Sequence, residues 1–320
     1  MRKHSKNKRW KKKMLTILAV ILCIMVSINL ISLIINQVFF SKELEKITPY
    51  GEIVEVNGQN MHIYSMGEGE KTIVLLPGFG NPLPSADFGP LMRELSKNYT
   101  VVCVEYFGVG FSDETEVPRT NENVTQEIRT ALSEAGFSPP YLLMPHSGSG
   151  IYTEHYASTY PDEISGIIML DPTSSAKKGA DTPGFVYGIS KIQEAIGLSR
   201  YVNPLIVSSV LSMKESNGYT EQEIDDYTKF MNHVNNDNLI DQMKRLNDNI
   251  LQVMDMDFPE NIPVLIIGAS KTGEEYQTEH LKRLGKNAEL AILEGSHYIY
   301  HSQVSEIHNK TDIFAETRIK

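Results

Sequence analysis

At 320 residues and 41% hydrophobic content, the chain can bury one large α/β core or two small ones, and disorder is not its default. The net charge of −10 is unevenly spread: residues 1–13 hold eight Lys or Arg and no acid, leaving about 18 excess negative charges on the rest. So acidic a remainder is a poor match for nucleic acid or for anionic lipid held by a surface field. The two cysteines, Cys23 in an apolar run and Cys103 in an expected core strand, supply neither a disulfide framework nor a metal-ligand spacing, and both read as packing residues.

The chain opens with a basic tail, residues 1–13, followed by an apolar stretch at 14–36 and a linker at 37–50. Met14 to Ile35 contains no charged residue, and its 22 positions would reach about 33 Å as a helix, enough to cross a bilayer core. A cleaved signal peptide would have a shorter apolar region and a small-residue cleavage site, which this stretch lacks. The expectation is an uncleaved single-pass anchor in a cell membrane. Arg2, Lys3, Lys6, Lys8, Arg9, Lys11, Lys12 and Lys13 precede the span, so the N-terminus is expected in the cytoplasm and the rest outside. An outward-facing domain without disulfides suits a bacterial surface.

Glu52–Val56 and Met61–Ser65 alternate around Asn57-Gly58, the signature of a hairpin. Lys71–Leu76 is an unbroken apolar strand that runs into Pro77-Gly78-Phe79-Gly80. A helix at Phe88–Ser96, a strand at Thr100–Glu105, a helix at Glu122–Ala135 and a strand at Tyr141–Met144 follow, then a helix at Ile151–Thr159 and a strand at Ser165–Leu170. Strands alternating with helices imply parallel crossovers and a sheet covered on both faces.

That rhythm lapses over residues 172–258, which read as a helical insertion with stretches at Ile224–Val234 and Leu239–Met254. Its apolar residues, among them Phe185, Tyr187, Tyr201, Phe230 and Met231, are expected chiefly to pack its helices together. Val264–Ile267, Tyr276–Leu284 and Ala288–Leu293 restore the strand-helix-strand pattern before Glu294-Gly295-Ser296-His297, and Thr311–Lys320 carries no clear pattern.

The chemistry centres on the strand Tyr141–Met144, which stops at Pro145-His146-Ser147-Gly148-Ser149-Gly150 before a helix. A serine at the apex of a strand-turn-helix can present its oxygen clear of the backbone, and it needs a base within hydrogen-bond reach to become a nucleophile. Pro145 and Ser149 stand where the familiar Gly-x-Ser-x-Gly turn has glycines. The bland alternative is a polar turn between a core strand and a helix.

From Glu52 to Ile307 the order of elements resembles the α/β-hydrolase family. Pro77-Gly78-Phe79-Gly80 sits where that family commonly has His-Gly-x, and Glu105-Tyr106-Phe107-Gly108-Val109-Gly110-Phe111-Ser112 looks like its Asp-x-x-Gly-x-Gly-x-Ser loop. Gly295-Ser296-His297 falls where it places the catalytic histidine. The resemblance implies a mostly parallel twisted sheet flanked by helices, residues 51–171 and 259–320 forming the core and 172–258 a helical cap.

It further implies Ser147 as nucleophile, His297 as base and the N–H groups of Phe79 and Gly148 as an oxyanion hole. The acid has three candidates. The family's commonest place for it holds Thr272 here, leaving Asp171 at the end of the sixth strand, preferred, or Glu274 and Glu275. His146 is expected to turn its ring from the serine oxygen, and His301 and His308 to lie on the surface.

The expected activity is hydrolysis of a carboxylic ester, thioester or amide on an apolar or acyl-bearing substrate, with no cofactor or metal. Acyl transfer to another acceptor stays open, and so does a non-catalytic surface receptor that kept the fold.

Overall fold

The computed structural model describes residues 2–319. Helix α1 (Arg2–Ile35) runs through the basic tail and the apolar stretch as one element and continues into a π-helical turn, Asn36–Phe40. After a short connection come β1 (Glu52–Val56) and β2 (Gln59–Met66), joined at Asn57-Gly58 with both residues at positive φ, the geometry that matches strand twist in a two-residue hairpin. Then follow β3 (Thr72–Leu76), α2 (Pro84–Asp87), α3 (Gly89–Leu95), β4 (Thr100–Glu105), α4 (Asn121–Glu134), β5 (Tyr141–Pro145), α5 (Ser149–Thr159) and β6 (Ile164–Leu170). The expected single helix at 88–96 begins earlier and is divided at Phe88, whose φ of −82° and ψ of 0° leave the helical range.

Between β6 and the next strand lie α6 (Gly184–Ala195), α7 (Ser199–Leu205), α8 (Glu221–Met231) and α9 (Asp237–Met254). The chain closes with β7 (Val264–Ala269), α10 (Glu274–Leu284), β8 (Ala288–Leu293) and α11 (Val304–Arg318). The eight strands form one sheet in the order β1-β2-β4-β3-β5-β6-β7-β8, parallel from β4 to β8 and antiparallel at the β1-β2-β4 edge. Crossing from β3 to β5 on one side and β4 on the other makes β3 a switch point. Loops leaving the carboxyl ends of β3 and β5 therefore meet, which is where open α/β sheets build their sites.

Both sheet faces are buried. Val74, Leu76, Val102, Leu143 and Ile266 pack under α4 and α5; Ile73, Leu75, Cys103, Met144 and Ile267 pack under α3 and α11. Helix α11 corrects the reading of Thr311–Lys320 as patternless. Its buried positions Ile307, Thr311, Phe314 and Ala315 form one stripe at helical spacing that begins before residue 311, so the terminal fragment alone contains only part of it.

The insertion divides into two parts. Helices α8 and α9 are tied to the core, α9 through Ile250 and Val253 against Ile151 of α5, and α8 through Tyr227 and Phe230 in a cluster with Leu83 and Ala86. Helix α6 has no buried residue. Phe185 and Tyr201, expected to pack the insertion together, are instead 69% and 76% exposed.

Candidate active site

Ser147 lies in the left-handed region, with φ 52°, one residue after an extended His146 that pairs with Leu170. A non-glycine residue rarely adopts this backbone, and the strain is held by flanking bonds: Ser147 N–H to the Leu170 carbonyl at 3.2 Å, and Thr173 and Gly150 N–H to the Ser147 carbonyl at 2.9 and 3.0 Å. The turn also needs narrow neighbours. A Cβ on Gly78 would come within 2.5 Å of His146 Nδ1 and 3.1 Å of Ser147 Cβ, so the loop after β3 can pass the serine only as glycine.

Ser149 shows why a departure from glycine is tolerated at that place. Its hydroxyl is buried, donates to the Pro77 carbonyl and meets Tyr106 Oη at 2.8 Å. The extra oxygen thus fastens the loop after β3 to the start of α5. Nothing local in the sequence signals this, because both partners come from distant strands.

His297, in the loop after β8, brings Nε2 within 2.8 Å of Ser147 Oγ and donates from Nδ1 to Asp171 Oδ2 at 2.6 Å. Asp171 ends β6 at φ 40°, fully buried, and its carboxylate also accepts from the Ala269 N–H at 2.9 Å, Gln277 Nε2 at 3.1 Å and Thr272 Oγ1 at 2.5 Å. Glu274 and Glu275, the alternative acids, begin α10 on the exposed surface. Thr272, at the family's usual acid position, acts as a donor to the acid supplied by the neighbouring strand. Sequence reasoning noted the threonine but not its partner.

The ring of His146 packs 4.7 Å from that of His297 and its Nε2 meets the His297 carbonyl at 3.1 Å, which steadies the loop carrying the histidine. Burial, with His297 and His301 nearby, pushes the His146 pKa well below its ordinary value, so it is neutral at pH 7. Among the described residues, neither Phe79 N–H nor Gly148 N–H has a hydrogen-bond partner in the fold. The Phe79 ring lies over Gly148, where a Cβ would meet it at 3.0 Å, so the loops carrying the two N–H groups are in contact. A serine hydroxyl, an imidazole, a buried carboxylate and two free N–H groups can together add the serine to a carbonyl and stabilise the resulting oxyanion.

His301 is a correction. It is 1% exposed, with Nε2 at 2.7 Å from the buried Asp87 and Nδ1 against the Leu211 carbonyl. Asp87 also accepts from Asn81 and Tyr300, so this second buried pair joins the helical insertion to α2. His308 is half-buried between Glu94 and Asp312, at 3.2 and 3.4 Å, rather than free on the surface. The Asp87 and Glu94 partners lie more than 200 residues away and are invisible to a local pattern, whereas Asp312 is an i,i+4 neighbour on α11. Among the described residues no three His, Cys, Asp or Glu side chains converge as metal ligands do.

The family model of the alpha/beta hydrolase fold matches residues 71–302. The Bacillus subtilis protein YbdG, itself uncharacterized, is 27% identical over 92% of this chain and 95% of its own. A pimeloyl-[acyl-carrier protein] methyl ester esterase of Xanthomonas axonopodis pv. citri is 31% identical over 44% of this chain and 51% of its own, about half its length. Among solved structures, Cfl2 of Burkholderia cenocepacia superposes with a TM-score of 0.68 at 17% identity, covering 83% of this chain and 99% of Cfl2.

Proposed function

The chain belongs to the alpha/beta hydrolase fold family, and from that premise we propose that it is a membrane-anchored serine hydrolase cleaving a carboxylic ester, thioester or amide. The reading is carried by one observation: His297 joins Ser147 Oγ at 2.8 Å and Asp171 at 2.6 Å in an unbroken relay. A surface receptor has no need of all three groups in that order. The esterase named among the relatives supports an ester substrate.

In the first half-reaction His297 Nε2 takes the serine proton as Oγ attacks the carbonyl carbon. Phe79 and Gly148 N–H groups receive the negative oxygen, each such donor being worth about 3–4 kcal/mol. Asp171 holds Nδ1–H and the positive charge that forms on the ring, without itself becoming protonated. The imidazolium then returns its proton to the leaving alcohol, thiol or amine, and the acyl group stays on Ser147. Water, deprotonated by the same nitrogen, releases the acid. Helix α1 supplies the anchor in this reading: it contains an 18-residue window of mean hydropathy 2.9 and buries none of it against the protein.

Covalent labelling of the full chain by a fluorophosphonate, beside Ser147→Ala, tests the proposal. Labelling of the parent that vanishes in the variant is expected. Equal labelling of both, or none of a folded parent that also fails to hydrolyse a panel of p-nitrophenyl esters, would overturn it.

A further inference from the structure

The carbonyls at the end of α6 are met by side chains of the apolar helix and the turn after it. Ser32 Oγ donates to the Ile196 carbonyl at 2.5 Å, and Asn36 Nδ2 donates to the Glu194 and Ala195 carbonyls at 3.2 and 3.1 Å. These are the groups that a helix C-terminus leaves without partners of its own. Arg200 of α7 completes the junction, donating to Asn36 Oδ1 at 2.7 Å, pairing with Glu43 at 2.6 Å and lying 4.2 Å over the Phe40 ring.

The junction fixes a height. Ser32 is three residues inside Ile35, where the apolar stretch meets Asn36-Gln37, so at 1.5 Å per residue the α6–α7 corner sits about 5 Å below that point. Around that corner the molecule exposes apolar side chains at helical spacing: Phe185, Ile189 and Ile192 on α6, then Tyr201 and Leu205 on α7. Ile192 and Leu205 are 63% and 65% exposed, and with Phe185 and Tyr201 they form a contiguous group rather than single exposed residues. Such a face on a water-soluble surface would be a liability, and at this height it meets lipid instead.

We propose that the α6–α7 face is a membrane-docking surface, seated in the interfacial layer of the leaflet that surrounds the outer end of α1. The proposal rests on the reading of α1 as a membrane anchor. Burial of apolar area drives the docking, since the soluble part is strongly acidic and gains nothing from anionic headgroups.

The test uses the full chain in phosphatidylcholine vesicles. Trp10→Phe removes the single tryptophan, and Phe185→Trp or Tyr201→Trp places a reporter on the face, with Ile313→Trp on α11 as the control. Lipids brominated along the upper acyl chain are expected to quench residues 185 and 201 by about half, the depth of interfacial helices. The control should be unaffected, and phosphatidylglycerol should leave the result unchanged. Reporters that stay unquenched in chains floating with the vesicles overturn docking and leave the anchor standing. A blue shift without quenching also overturns it and assigns the face to a second copy of the chain. Failure to float overturns both readings.

Discussion

Asp171 is the residue on which the proposed relay turns, because a neutral amide in its place would present imidazole with the wrong hydrogen-bond partner while filling the same space. Asp171→Asn is expected to lower kcat by about 10^4-fold with the fold intact, whereas Glu274→Gln and Glu275→Gln should leave turnover within about twofold. Steady-state hydrolysis of a p-nitrophenyl ester, beside thermal unfolding, checks both, and near-normal turnover of the asparagine variant would sink the assignment. The sequence narrowed the acid to three candidates, with Asp171 preferred. What favours Asp171 among them is the reach of His297 Nδ1 to its carboxylate and the Thr272 hydroxyl directed at the same oxygen, both long-range contacts. His146 carries a second expectation. Its folded pKa is depressed, so the unfolded chain binds more protons than the native one between the ordinary histidine value and the lowered one. The stability it contributes is complete above about pH 6.5 and is lost as pH falls toward its folded pKa. Thermal midpoints measured downward from pH 7.5 should fall below about pH 6.5, and His146→Asn should flatten that slope; an unchanged slope would show that another group controls it.

Elements were legible in proportion to how local their signals are. The Asn57-Gly58 hairpin, the strand runs into Gly78 and Ser147, and the helix and strand before His297 are written in neighbouring residues, and the structure places them as expected. The insertion was legible only as helical. Its attachment depends on residues whose partners lie far along the chain, as α8 shows. Thr220 caps α8 by accepting from the Glu223 N–H at 3.1 Å, and Glu223 returns a bond to the Thr220 N–H at 2.8 Å. The same carboxylate holds Arg93 of α3 at 2.6 and 3.0 Å and stands over Gly89, where a Cβ would come within 2.2 Å of it. A capping box could be read from the sequence, but its second duty as a tie between insertion and core could not. Glu223→Ala removes both together and is expected to cost about 1–2 kcal/mol, the loss of part of the capping box plus an ion pair whose Arg93 end is exposed and screened by solvent. Denaturant titration measures this, and Arg93→Ala should reproduce only the part owed to the pair. A loss under about 0.5 kcal/mol for Glu223→Ala would mean that the apolar cluster around Tyr227 and Phe230 alone seats the helix.

At the scale of the whole molecule, the apolar helix α1 meets the α6–α7 corner, and the proposed docking face and the loop after β3 are separated by the inner part of the insertion. Two cavities mark the interval. One, of about 270 Å³, lies under α6 and α7 and is lined by Leu198, Val202, Ile206, Met231 and Val234. The other, of about 190 Å³, is lined by Gly80, Pro82, Phe230, Val234 and Leu239 and borders the loop that carries Phe79. Val234 belongs to both walls. Neither cavity alone reaches the usual size of a small-molecule site, about 300–1,000 Å³, but joined across Val234 they do. Under the proposed function, a long acyl chain held at Ser147 that runs along the loop after β3 would reach this residue, while a two-carbon acyl group would not extend so far. Val234→Trp therefore separates long substrates from short ones. It is expected to reduce kcat/KM for p-nitrophenyl octanoate by about 10–100-fold, the scale on which a filled apolar pocket discriminates, and to leave p-nitrophenyl acetate within about twofold. Equal losses on both esters would point to a disturbed fold or to a different acyl path. Tryptophan blue shift together with an unchanged thermal midpoint would separate those two causes, since a side chain packed inside the joined cavity is buried without unfolding its walls.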